Sequence, residues 1–245
     1  MITSERYSGR SARFANGLLG RIYRKLYVHP SRFYGDLQHE GITNWHQRIK
    51  SFVKSFPHDA LLVDLGSGSR QIAKNVLALD IKFSPTLSAV GDGHHLPFKS
   101  ESIDGVILQM ILEHVINPRE VLAEVRRILK RGGRIYCEVP FLFPIHDRTD
   151  YSRWTVEGLT YICSIFEPIE TGVCIGPFSA LSALIRRAFT LYAPSLCMEA
   201  AIDLILGWLL WPLKYLDQWL PTMPDSQVVA GGIYFIGAKE LRSEG

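Results

Sequence analysis

The chain has 245 residues, 47% of them hydrophobic, enough to bury one full-sized core and in keeping with one domain rather than two. The formal net charge of +3 is small and local: residues 1–32 carry seven Arg or Lys against the single acid Glu5. The body is therefore near neutral, which argues against general nucleic-acid binding. Cys137, Cys163, Cys174 and Cys197 form no C-x-x-C pair and no regular spacing with His, so neither a disulfide framework nor a metal site is signalled. A reducing, cytoplasmic setting is expected. Arg13, Arg21, Arg24 and Lys25 interrupt every apolar run near the N-terminus, so an export signal is not expected.

In chain order, residues 1–42 read as a basic N-terminal segment and 43–245 as the folded domain. Asn44–Phe56 places Trp45, Ile49, Phe52, Val53 and Phe56 on one face and predicts a helix at the domain edge. From Leu61, short β-like runs alternate with helical patterns, the signature of a parallel sheet covered on both faces. The expected strands are Leu61–Leu65, Leu77–Ile81, Leu87–Gly91, Gly105–Gln109 and Arg134–Val139. The best-marked helix follows Asn117 as a candidate cap, with Pro118 in its first turn and Glu120 three residues on. Its apolar Val121, Leu122, Val125, Ile128 and Leu129 recur at helical spacing, and Gly132-Gly133 are expected to stop it. A helix over Thr155–Ile165, a strand over Phe166–Cys174 and a closing strand in Val228–Ala238 follow.

Before that last strand lies an apolar helical insertion, about residues 177–222. Between Ala188 and Thr222 the only charged residues are Glu199, Asp203, Lys214 and Asp217. Spanning a membrane takes roughly 20 apolar residues. The uncharged run Leu204–Leu213 is shorter, and Asp203 and Pro212 bound or interrupt it. The preferred expectation is a helical cap that buries its apolar faces against the domain. The alternative is a surface that touches lipid or a lipid-linked substrate, with Trp208, Trp211 and Trp219 at the interface.

The chemistry-bearing residues fall at strand ends. Val63-Asp64-Leu65-Gly66-Ser67-Gly68 puts a carboxylate at the end of a buried strand, followed by two glycines that let backbone approach a ligand closely. A second acid, Asp80, ends the next strand, and a third, Asp92, follows in Gly91-Asp92-Gly93. In open α/β sheets ligands bind beyond the carboxyl ends of the strands, where all three acids lie. Other readings stand beside this one: Asp64 and Asp80 as helix caps, Asp92-Gly93 as an ordinary turn. A nicotinamide fingerprint is disfavoured, because Gly66-x-Gly68 is followed by Gln71 where G-x-G-x-x-G needs Gly or Ala.

In this order, VDLGSG, ALDIKF, GDGHHLPF, DGVILQMILEHV and VLAEVRRILKRGGRIYCEVP resemble the motif series of class I methyltransferases that use S-adenosylmethionine (SAM), over about residues 43–175. The acid-x-x-x-LPF segment, the D-x-V strand and Leu112-Glu113-His114 resemble more narrowly the small type 11 group. The resemblance implies a Rossmann-like α/β fold, with a mostly parallel seven-stranded sheet and an antiparallel last strand. It implies that Asp80 accepts both ribose hydroxyls of SAM and that Asp92, beside Gly93, receives the adenine amino group. Gly66 and Gly68 would make room for the methionine part, Asp64 would orient its ammonium, and Gln109 and Met110 would lie near the methyl. Arg70 replaces the usual third glycine and only 12 positions separate Gly68 from Asp80, so the first helix is expected to be short. That shortening resembles a subset associated with surface polysaccharide or glycolipid synthesis.

The run from Pro140 to Thr155 contains H-x-x-x-D-Y-x-R-x-T, similar to a run of the same subset, and is the candidate segment for substrate contact. His146 is the candidate base for a hydroxyl acceptor, its ordinary pKa of about 6.5 suiting neutral pH. Asp150, Tyr151 and Arg153 are candidate substrate-binding residues. Alternatively, Asp150 and Arg153 pair to stabilise the loop and Thr155 caps the next helix. Glu113 and His114 either brace a loop or meet a ligand. The expected activity is transfer of a methyl group to a small-molecule, sugar or lipid-linked acceptor, oxygen favoured and without a metal. The rival is an inactive SAM-binding module serving as a partner subunit or membrane-peripheral scaffold.

Overall fold

The computed structural model describes residues 45–68, 70–145, 149–218 and 225–241. Its elements are α1 (Trp45–Lys54), β1 (Leu62–Leu65), β2 (Val76–Asp80), β3 (Ala89–Val90), β4 (Ile103–Gln109), α2 (Pro118–Ile128), β5 (Leu129–Pro140), α3 (Val156–Ile162), β6 (Glu167–Ile175), α4 (Pro177–Thr190), α5 (Leu196–Leu210) and β7 (Gly232–Ala238). The seven strands form one sheet in the order β3-β2-β1-β4-β5-β7-β6. Strands β1 to β5 pair in parallel, and β7 runs antiparallel to β5. The last strand in sequence is thus inserted between β5 and β6 instead of closing an edge.

The expected mixed α/β sheet is present. Its central strands are apolar without alternation because both their faces are covered: all of β1 is buried, as are Val106, Ile107 and Leu108 of β4. Phe52 of α1 meets the ring of Tyr136 on β5 at 5.5 Å, and α2 buries Val121, Leu122, Val125 and Ile128.

Four local expectations are corrected. No helix forms between β1 and β2, because a parallel crossover with a helix takes a dozen or more residues and this one has only the short segment after Leu65. The crossovers from β2 to β3 and from β3 to β4 also lack helices, which leaves Ile81, Phe83 and Val90 exposed; the covering of both faces is therefore incomplete at that edge. Helix α2 ends at Ile128, not at the glycines: Leu129 is already extended and enters β5, with Gly132 at φ 72° inside it. Asn117 makes no side-chain cap bond and instead donates to Glu120 Oε1 at 3.1 Å.

By internal contacts the described chain divides into two compact units: residues 142–145 with 175–231, and the remaining residues from 46 onward. The second holds nearly the whole sheet. The first is the helical insertion, in which the Trp211–Gln218 3₁₀ segment returns to the start of α4. There the Asp217 carboxylate accepts from the amides of Phe178 and Ser179, both at 2.9 Å. The expected burial of its apolar helix is not met, since Gly207 is the buried residue of α5.

Candidate functional site

The sheet order reverses between β1 and β4, which places a crevice beyond their carboxyl ends. Asp64, 1% exposed, stands at the end of β1, and Gln109 ends β4. From Asp64 the chain turns through Gly66 and Gly68 at φ 73° and 59°, the left-handed region that favours glycine. The two glycines serve different ends. A Cβ on Gly66 would lie 2.5 Å from Ile111 Cδ1, so this glycine lets the loop close against the turn after β4. A Cβ on Gly68 would meet nothing within 4 Å, so this glycine presents bare backbone to open space. The Asp80 carboxylate borders that space, accepting from the amides of Gly68 and Lys82 at 2.8 Å each.

Arg70, which sequence reasoning treated only as a departure from pattern, bridges the crevice. Its guanidinium makes a forked pair with Asp64, Nη2 to Oδ1 at 2.7 Å and Nε to Oδ2 at 3.1 Å, and also donates to the Gln109 side chain. Burial nonetheless holds the Asp64 carboxyl above its ordinary value, outweighing the Arg70 charge that pulls it down. Gln109 in turn hydrogen-bonds Glu138, its register partner on β5, and Glu138 accepts from the Tyr136 hydroxyl. A continuous polar chain, Asp64–Arg70–Gln109–Glu138–Tyr136, thus runs across the carboxyl edge of three strands. Glu138 is enclosed, and burial lifts its carboxyl to about 7 against the opposing hydrogen bond from Tyr136 and charge of Arg70. Met110 directs the chain off β4 with φ 50°, unusual for a residue bearing a side chain, while its amide donates to the Glu138 carbonyl at 3.1 Å.

Asp92 forms the ordinary turn left open by the sequence: Oδ1 accepts from the His94 amide at 2.9 Å and contacts His94 Nδ1 at 2.7 Å. These bonds hold its carboxyl below the usual range. A Cβ on the neighbouring Gly93 would make only van der Waals contact with Leu65 and Val121, at 3.4 Å, so Gly93 is not forced by space.

The Leu-Glu-His turn braces the segment that begins at Thr149. His114 Nδ1 is 2.7 Å from the Thr149 carbonyl, and the Glu113 carbonyl accepts from the Tyr151 amide at 2.7 Å. Asp150 and Arg153 form the loop ion pair, with the Asp150 side chain fully enclosed, and Thr155 caps α3 by accepting from the Gly158 amide at 3.1 Å. Tyr151 is exposed. His146 lies outside the described residues. The Glu113 side chain is fully buried beside these groups, and desolvation, with the Asp150 charge adding, lifts its carboxyl to about 8 despite Arg153. Sequence left Glu113 between bracing a loop and meeting a ligand and gave Glu138 no role; an acid at the end of an apolar strand was the signal for Glu138. Among the described residues no cluster of His, Cys, Asp and Glu could hold a metal ion.

Residues 47–137, the stretch that builds this crevice, match the family model of a methyltransferase domain. The sheet order and this match give the chain the Rossmann-like fold of class I methyltransferases. Demethylmenaquinone methyltransferase of Thermotoga maritima is 24% identical over 176 residues, covering 64% of this chain and 74% of that protein. A ubiquinone/menaquinone biosynthesis C-methyltransferase of Acidiphilium cryptum is 27% identical over 103 residues, covering 42% of this chain and 41% of that one. An uncharacterised 37.1 kDa protein of a Streptomyces fradiae transposon is 35% identical over 72 residues, covering 29% of this chain and only 19% of that protein. The match therefore spans less than half the length of the latter two relatives. Among solved structures, phosphoethanolamine N-methyltransferase 2 of Haemonchus contortus, in complex with S-adenosyl-L-methionine, superposes with a TM-score of 0.51 at 15% identity. That superposition covers 89% of this chain and 60% of that one, and it supports the fold alone.

Proposed function

We propose that the protein transfers the methyl group of SAM to a hydroxyl of a small-molecule, sugar or lipid-linked acceptor. One observation carries the cofactor half: two carboxylates, Asp64 and Asp80, flank a left-handed glycine turn whose Gly68 side faces open space. The fit is chemical as well as spatial. Asp64 already holds a cationic group, the Arg70 guanidinium, so this position suits the ammonium of the methionine part. Asp80 offers two oxygens to a pair of ribose hydroxyls, replacing the amides it now accepts. Asp92 and Gly93 lie on the adenine side in this reading, and Gln109 and Met110 on the methyl side.

When bound, SAM supplies a methyl group on a positive sulfur, open to in-line displacement. The chain's part is to align acceptor and methyl and to exclude water. His146 is the proposed base for the hydroxyl proton, and Tyr151 and Arg153 the proposed orienting groups, Arg153 after release from Asp150. Two relatives are named as a demethylmenaquinone methyltransferase and a ubiquinone/menaquinone biosynthesis C-methyltransferase, which supports a small-molecule acceptor and makes carbon the competing acceptor atom in the test below.

Titration calorimetry with SAM and with its demethylated product, on the wild type and on Asp80→Asn, tests the cofactor half. Unchanged affinity in the variant rejects the ribose assignment. Release of labelled methyl to hydroxyl-bearing acceptors tests the second half, and full turnover by His146→Gln with SAM still bound removes the base. A second reading, a SAM-binding module without turnover, is favoured by Arg70 lying on Asp64. Saturable SAM binding without transfer to any acceptor class is its signature.

A further inference from the structure

The helical insertion presents an apolar face with nothing described upon it, and the way its charges are disposed identifies what that face suits. Helices α4 and α5 form a hairpin through the turn at Leu191–Ser195. Leu209 of α5 is 69% exposed, Ile205 65% and Trp208 52%; Tyr192 in the turn is 88% exposed, beside Leu191 and Phe189. Leu196–Asp217 has the length and composition of a membrane helix, with mean hydropathy 1.6, yet 6% of it is buried. Monomeric soluble proteins seldom leave contiguous apolar patches of this kind uncovered.

All three acids of the α5 region are held by partners within the hairpin or at its start. Asp203 pairs with Arg186, Glu199 with Arg187 at 3.6 Å, and Asp217 receives the first amides of α4. The outward side is left to apolar and aromatic groups, with Trp208 and Tyr192 having the mixed character that suits a headgroup boundary. A protein-binding patch needs a charged or polar rim, which these ion pairs remove. The same chain carries seven Arg or Lys against one acid in residues 1–32, a charge complement to anionic lipid.

We propose that the α4–α5 hairpin lies in the surface of an anionic bilayer, with Ile205, Trp208, Leu209 and Tyr192 entering the headgroup and acyl boundary. Lying flat follows from the ion pairs. They fasten the first half of α5 to α4, and α4, with Arg186 and Arg187 and only 14 residues, cannot cross roughly 30 Å of hydrocarbon. The proposal does not depend on the methyl-transfer reading, since the face belongs to a unit that carries none of the proposed cofactor residues.

The test is flotation of the full chain with vesicles of phosphatidylcholine alone or mixed with phosphatidylglycerol, at low and high salt, alongside tryptophan fluorescence. The expected result is co-flotation with the anionic vesicles, a blue-shifted emission, and a bound fraction that falls severalfold at high salt. Trp208→Glu with Leu209→Glu, both solvent-exposed, should reduce binding about tenfold or more while the circular dichroism spectrum and SAM affinity stay unchanged. A wild type that ignores anionic vesicles at low salt overturns the proposal, as does a double variant that binds like wild type. Concentration-dependent dimerisation without lipid, abolished by the same variant, would also overturn it by assigning the face to a second copy. Loss of SAM binding with vesicle binding intact would reject the cofactor reading and leave this proposal standing.

Discussion

Replacing Glu113 by Gln is expected to make the protein more stable, and increasingly so as pH rises. The wild-type carboxyl is fully buried and lifted by desolvation from its ordinary 4.5 to about 8. A folded pKa above the unfolded one means that the folded state keeps a proton the unfolded state has released. Stability therefore declines as pH climbs from about 4.5 towards 8, and is flat below that window. Each tenfold difference in proton affinity is worth about 1.4 kcal/mol, so Glu113 costs the wild type on the order of 1 kcal/mol at pH 5 and about 4 kcal/mol at pH 8. Glutamine has the shape of the protonated acid and no charge to desolvate. The stability difference between variant and wild type should therefore widen by about 3 kcal/mol across that range. Urea denaturation of both proteins, at several pH values between these limits, measures it. Glu138, whose charge also raises the Glu113 carboxyl, is coupled to it, so Glu138→Gln is measured in both backgrounds to isolate the Glu113 slope. Parallel midpoints across the range would show that Glu113 is not held as the buried acid described here.

The two loop glycines should respond differently to alanine. Gly66→Ala meets both its positive φ and Ile111 at 2.5 Å, and should lose about 2 kcal/mol or more in denaturant melts. Gly68→Ala faces open space and should lose only about 1 kcal/mol, yet weaken SAM binding about tenfold by calorimetry. Arg70→Ala strips a buried carboxylate of its forked partner and should cost about 3 kcal/mol; added SAM should then raise the melting temperature by more than it does in the wild type. Thr155→Ala should cost about 1 kcal/mol through the lost cap of α3, while Asn117→Ala, whose side chain makes no cap bond, should change the melting temperature little.

The apolar runs, the glycine turn after Val63-Asp64 and the acids at Asp80 and Asp92 were legible in sequence, because strand burial and left-handed turns are local demands on residue type. The Asp150–Arg153 pair and the Thr155 cap were legible as well, at spacings short enough for neighbours in the chain to meet. Other features depended on residues far apart in sequence. The missing helix between β1 and β2 follows from how short a parallel crossover the sheet closes over. Arg70 reaches Gln109 only because β1 and β4 are adjacent, and Glu138 joins them only because β5 pairs with β4 in register. The insertion divides in the same way. Its apolar composition was plain from the sequence, but whether that apolar surface turned inward or outward rested on Arg186, Arg187 and the start of α4. By claiming the acids of α5 and the segment after it, those groups leave the apolar side facing out.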